Sequence, residues 1–143
     1  MIHWMKKILI FEDDPVLGRV CERLLTKHGF AVSLACDGAS GLERLNTFRP
    51  DAVLLDLMMP KLNGVEVLKR MRAQEAFRDL PVIVLTNACV PMLVAQAWEA
   101  GANHIIDKSK LNPVALTEVL RGLIGNQGNL GPVSLSEPLQ RLD

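Results

Sequence analysis

Five short apolar runs, each followed by a stretch with helical periodicity, constrain this chain more than any other feature of its sequence. The runs cover residues 7–11, 31–35, 52–56, 81–86 and 104–107. Their starts fall roughly two dozen residues apart, the length of one strand plus one crossover helix. The helices between them carry their own punctuation. Asp14-Pro15 offers an N-cap and a proline at the first helical position, and Gly29 stands where a left-handed C-cap belongs, just after His28. Between these signals Val16, Leu17, Val20, Cys21, Leu24 and Leu25 are expected on one inward face. Further helices are expected over 38–48 with Leu42 and Leu45 inward, over 65–71 with Leu68 on the same stripe, and over 91–101. The fifth opens at Asn112-Pro113 and carries Leu116, Val119, Leu120, Leu123 and Ile124 before Gly125.

Five βα units in series imply a parallel sheet with right-handed crossovers. Ala52-Val53-Leu54-Leu55 is apolar throughout, as a strand covered on both faces must be. The expected fold class is α/β, a doubly wound five-stranded parallel sheet. At 143 residues one core suffices without disulfides or metals. From residue 126 to 143 the periodicity gives way to Asn, Gly, Gln, Pro and Ser. Residues 6–125 are therefore read as the domain and 126–143 as a flexible tail or linker.

Composition narrows the function. Lys+Arg and Asp+Glu both number 16, and this balance speaks against nucleic acid as a partner. Cys21, Cys36 and Cys89 form no CxxC pair, which fits a reduced, cytoplasmic protein. Residues 80–98 carry no charge over 19 positions, near the length of a membrane span, but Pro81, Asn87, Pro91 and Gln96 interrupt them. A strand, a loop and a helix opening at Pro91 account for the stretch better, and no membrane segment is expected.

In a doubly wound sheet, ligands bind beyond the carboxyl ends of the strands. The groups standing there are Glu12-Asp13-Asp14 after strand one, Asp56 after strand three, Thr86 after strand four and Asp107-Lys108 after strand five. Converging carboxylates repel unless a cation sits among them, and oxygen ligands with room for water suit Mg²⁺. An aspartate beside Mg²⁺, a hydroxyl and a lysine is equipped to accept a phosphoryl group. The bland readings are that Asp14 is only the helix cap and that Cys21 and Trp98 are packing. On the same view Lys69, Arg70 and Arg72 are a solvated face of the third helix. His3, His28 and His104 have no ligand spacing.

Four segments carry a resemblance: Ile10-Phe11-Glu12-Asp13-Asp14-Pro15, Leu54-Leu55-Asp56-Leu57-Met58-Met59-Pro60 with Gly64, Val84-Leu85-Thr86-Asn87-Ala88, and Gly101-Ala102-Asn103-His104-Ile105-Ile106-Asp107-Lys108. In this order the chain resembles the CheY-like receiver domains of two-component response regulators. The resemblance implies a flavodoxin-like (βα)5 sheet of order 2-1-3-4-5 and Asp56 as phosphoacceptor, with Thr86 and Lys108 attending the phosphoryl group. It implies Mg²⁺ held by Asp13 directly, by Glu12 directly or through water, by Asp56 and by the backbone carbonyl of Met58. Pro60 and Gly64 match the loop after the acceptor strand, where glycine is read as allowing a backbone turn that a side chain would obstruct. The implied partners are a sensor histidine kinase or histidine phosphotransfer protein and a downstream effector or output domain. A homodimer through helix four, strand five and helix five is also implied. The role would be a cytoplasmic signalling switch, not an enzyme acting on other molecules, with no direct contact to nucleic acid or membrane.

Two residues depart from the family pattern. Ile105 stands where the family usually has an aromatic, and Ser109 follows the lysine where proline in a cis bond is usual. A non-proline cis bond costs about 3–4 kcal/mol, so that bond is either trans or strained by local contacts. Met58 and Ala88, two residues beyond Asp56 and Thr86, flank the approach of water in the family. Neither carries an acid or amide, so slow self-dephosphorylation is expected. The competing readings are a phosphate-independent interaction module and an aspartate-nucleophile phosphatase of the haloacid dehalogenase type, whose second acid would fall at Met58.

Overall fold

The alternating pattern folds into five strands and five α-helices in strict succession. In the computed structural model, which describes residues 5–87 and 90–126, they are β1 (Lys7–Phe11), α1 (Pro15–Lys27), β2 (Ala31–Ala35), α2 (Gly38–Phe48) and β3 (Ala52–Asp56). After these come α3 (Gly64–Ala73), β4 (Val82–Thr86), α4 (Pro91–Glu99), β5 (His104–Asp107) and α5 (Pro113–Asn126). All strand pairs are parallel, and the sheet order is β2-β1-β3-β4-β5. The two-residue alternation of the strands divides the core. Leu9, Phe11, Val53, Leu55, Val84 and Ile105 pack with α2, α3 and α4, whereas Ile8, Ile10, Leu54, Ile83 and Ile106 pack with α1 and α5. β1 and β3 are central and almost wholly buried. The strand order reverses beside β1, so the carboxyl ends of β1 and β3 flank the crevice.

The caps lie where the sequence places them. Asp14 accepts the amides of Val16 and Leu17 at 3.0 and 3.4 Å, and Gly29 is left-handed with φ of 93°. Asn112 caps α5 through the amides of Val114 and Ala115.

Several boundaries and faces differ. The fourth strand begins at Val82 rather than residue 81, because Pro81 has no N–H and contributes only a carbonyl, accepting from Val53. α3 extends beyond 65–71, its start drawn back by Asn63 capping the amide of Glu66. α4 ends at Glu99, and α5 runs through Gly125 to Asn126. Val16 and Val20 are not inward: they are 71% and 57% exposed, and the buried stripe of α1 is Gly18, Cys21 and Leu25. Two single turns of 3₁₀ helix, Glu75–Phe77 and Lys108–Lys110, went unforeseen. Among the described residues no helix is long and apolar enough to cross a membrane. His3, Ala88, Cys89 and residues 127–143 lie outside the described residues, and with them the expected loop at Cys89 and nearly all of the expected tail.

Candidate functional site

β1 delivers Glu12 and Asp13 to the crevice. The Glu12 amide still donates to Ala35 of β2 at 3.0 Å, so this residue keeps the strand's geometry while its side chain turns to the site. β3 delivers Asp56, which is buried at 5% exposure and accepts the Met58 amide on Oδ1 at 3.1 Å. β5 and the turn after it deliver Lys108, whose Nζ lies 2.6 Å from Glu12 Oε1 and 3.3 Å from Asp56 Oδ2. One oxygen from each of Glu12, Asp13 and Asp56 falls within 4.8 Å of the others, with Asp13 exposed at the mouth. Thr86 is fully buried at the end of β4, in register with Asp107.

Burial drives the electrostatics. Desolvation raises the Glu12 carboxyl above its ordinary range, with the negative charge of Asp56 adding to it and the hydrogen bonds from Lys108 and the Asp14 amide opposing it. Burial alone would lower the Lys108 ammonium, but hydrogen bonding to Glu12 and the charges of Asp56 and Glu12 outweigh it. The net shift is upward, and the lysine stays charged. Three carboxylates against one ammonium leave a net negative crevice of hard oxygen donors. That donor set suits Mg²⁺ and is wrong for a soft metal.

Other carboxylates near the rim are committed locally. Asp14 is spent on the α1 cap, and Asp107 on the amide and hydroxyl of Ser109. Met58 keeps a 53% exposed side chain while its amide serves Asp56. At Gly64 a side chain would indeed obstruct the backbone. A Cβ there would stand 2.5 Å from the Asp56 carbonyl oxygen and 2.7 Å from Leu57 Cα, so glycine permits α3 to begin against the end of β3. Ile105 is completely buried, packed with Val94 and Ala97 of α4 in one cluster. The peptide bond between Lys108 and Ser109 is trans, as are all bonds among the described residues.

Arg72 is not part of a solvated face. Its guanidinium donates to the carbonyls of Phe77, Leu80 and Gly101 and to Asn103 Oδ1, joining α3 to the starts of β4 and β5. It lines a cleft of about 770 Å³ with Lys6, Asp51, Arg78 and Asp79 at the opposite end of the sheet. The half-buried Arg72 guanidinium in that cleft is committed to backbone carbonyls and to Asn103, away from the acidic crevice.

Residues 8–121 match the family of response regulator receiver domains. The chain belongs to that family. This receiver domain is thus a signalling switch of two-component systems, and such domains bind Mg²⁺ at an acidic pocket of the kind formed here by Glu12, Asp13 and Asp56. It is 38% identical over 114 residues to the response regulator MprA of Mycobacterium ulcerans, covering 80% of this chain and 47% of that protein. The chain spans about half the length of the curated relatives it matches. Among solved structures, it is similar to the receiver domain of sensor histidine kinase PA1611 from Pseudomonas aeruginosa. The TM-score is 0.78 and the identity 32%, over 85% of this chain and 98% of that one, and that structure has a magnesium ion coordinated in its active site cleft. Chemotaxis protein CheY4 of Vibrio cholerae aligns with a TM-score of 0.77 at 27% identity, over 82% of this chain and 97% of the other.

Proposed function

We propose that Asp56 accepts a phosphoryl group from the phosphohistidine of a sensor histidine kinase or histidine phosphotransfer protein. The observation that carries this reading is the position of the Asp56 carboxylate, 3.3 Å from the Lys108 ammonium and inside the acidic cluster at the crevice. A carboxylate oxygen of Asp56 forms the new O–P bond as the donor's N–P bond breaks, and the electron pair leaves with the imidazole nitrogen. Lys108 supplies positive charge to the transferred oxygens, and the Thr86 hydroxyl is the group at the end of β4 able to follow them. Mg²⁺ held by Glu12, Asp13, Asp56 and the Met58 carbonyl would neutralise the carboxylates and let an anionic donor approach.

The phosphorylated domain then shifts a protein-interaction surface of α4, β5 and α5 toward an effector, an output domain or a second copy of itself. It acts on no molecule besides its own phosphoryl group. Residues 6–125 form the receiver unit, and 126–143 form a tail or a linker to an output domain, a reading supported by the greater length of the relatives. The setting is the cytoplasm. This chain contacts neither membrane nor nucleic acid directly. The exposed Met58 thioether offers no acid or amide to orient water, so the phosphoryl group is long-lived, outlasting that of a Met58→Asn, Ala88→Glu double variant.

Intact-mass measurement after incubation with Mg²⁺ and acetyl phosphate tests the reading. A labile phosphoryl adduct is expected, lost with chelator and absent from Asp56→Asn. No adduct with either acetyl phosphate or phosphoramidate would leave the fold acting as a phosphate-independent interaction module.

A further inference from the structure

β5 passes into α5 through one turn of 3₁₀ helix, and Lys108 is the first residue of that turn. The carboxylate of buried Asp107 closes it. Asp107 Oδ1 accepts the Ser109 amide at 2.9 Å and the Ser109 hydroxyl at 2.7 Å, so a single oxygen fixes both the backbone and the side-chain rotamer of Ser109. On the far side the Lys108 carbonyl accepts the amide of Leu111 at 3.2 Å. Lys108 is therefore held between two clasped residues, and its direction of departure from the chain is set before its long side chain begins.

The reach of that side chain makes the clasp matter. Nζ must span to two carboxylates from two different strands, Glu12 Oε1 at 2.6 Å and Asp56 Oδ2 at 3.3 Å. A long lysine side chain loses rotamer entropy when its ammonium is placed, and a fixed stem reduces that loss. We propose that Ser109 is a positioning residue for phosphoryl transfer: its hydroxyl, clasped by Asp107, holds the β5–α5 turn so that the Lys108 ammonium stands between Glu12 and Asp56. This rests on the reading of Asp56 as phosphoacceptor. Ser109 itself is exposed and belongs to neither core cluster, so removing its hydroxyl leaves the fold intact.

The test compares the unmodified chain with Ser109→Ala and Ser109→Thr by two readouts. The first is the side-chain ¹⁵N resonance of Lys108 by NMR in metal-free protein. It is shifted and slowly exchanging in the unmodified chain, collapses toward the free-lysine position in Ser109→Ala, and is retained in Ser109→Thr. The second is the rate constant for phosphorylation by acetyl phosphate at saturating Mg²⁺. Loss of a hydrogen bond of ~1 kcal/mol lowers it about fivefold in Ser109→Ala, and threonine restores it. Both variants stay folded, and Mg²⁺ affinity does not fall in Ser109→Ala, because an ammonium released from Glu12 and Asp56 no longer competes with the cation. The proposal is overturned if Ser109→Ala keeps the lysine signal and rate. It is equally overturned if rate, Mg²⁺ affinity and thermal midpoint fall together, or if threonine fails to restore what alanine loses. Should the unmodified chain take no phosphoryl group, the acceptor reading fails, and the metal-free lysine resonance alone decides the clasp.

Discussion

At the scale of single residues, the site works by bringing together groups that oppose one another in water. Glu12, Asp13 and Asp56 were legible in the sequence because acid residues at the ends of apolar strands have only one crevice to share. Lys108 was legible for the same reason, although its 2.6 Å pairing with Glu12 depends on a turn that no spacing rule announces. Arg72 was not legible. A basic residue among basic neighbours near a helix end looks solvated, and its acceptors are carbonyls and one amide oxygen in two separate loops, the farther of them beyond α4. Gly64 was legible as a place where a side chain would obstruct the backbone, but the obstructing neighbour, the end of β3, is set by a distance that local sequence does not encode. Gly64→Ala is expected to cost about 1–3 kcal/mol, the usual penalty for overpacking where the neighbour is backbone and cannot swing aside. Urea denaturation at constant Mg²⁺ measures it.

At the scale of elements, periodicity identified all five strands and all five α-helices but misjudged how wide a face α1 buries. A helix over a twisted sheet edge covers a narrower stripe than its apolar residues suggest, and Val16 and Val20 fall beyond it. Val20→Ala is accordingly expected to change stability by less than about 0.5 kcal/mol. Leu25→Ala, which empties a fully buried position, is expected to cost about 2–5 kcal/mol. Equilibrium unfolding of the two variants side by side distinguishes the observed stripe from the wider one. Arg72 belongs to this scale because it connects elements. Burial lowers its guanidinium, partly offset by the charge of Asp79, and its bonds hold the loops before β4 and β5. Arg72→Ala leaves those carbonyls without their donor, at about 1–3 kcal/mol for each one that water cannot reach. Hydrogen exchange is expected to quicken in β4 and β5 while β1 and β2 keep their protection.

At the scale of the whole molecule, the crossover rules and the switch point fixed where chemistry could occur, and the protonation of buried groups sets the conditions it tolerates. Burial raises the Cys21 thiol, with Glu12 adding and Lys108 opposing, and the net shift of Lys108 is also upward. Each group holds its proton more tightly folded than unfolded. Their contribution is complete below the unfolded values, about 8.5 for Cys and 10.4 for Lys, and is lost as pH rises through the folded ones. Stability of the metal-free protein is therefore expected to decline above about pH 8.5 and again above about 10.4, and Lys108→Met to abolish the second decline. Urea midpoints between pH 7 and 11 show whether the two steps exist.

Asp56, among all the carboxylates at this crevice, is the one proposed to take the phosphoryl group. Acyl phosphates are reduced to alcohols by borohydride, which marks the acceptor permanently. After incubation with Mg²⁺ and phosphoramidate, borohydride reduction and peptide mapping should find homoserine at position 56, with Glu12, Asp13 and Asp107 unchanged. Reduction at any of those three, or at none, would contradict the account.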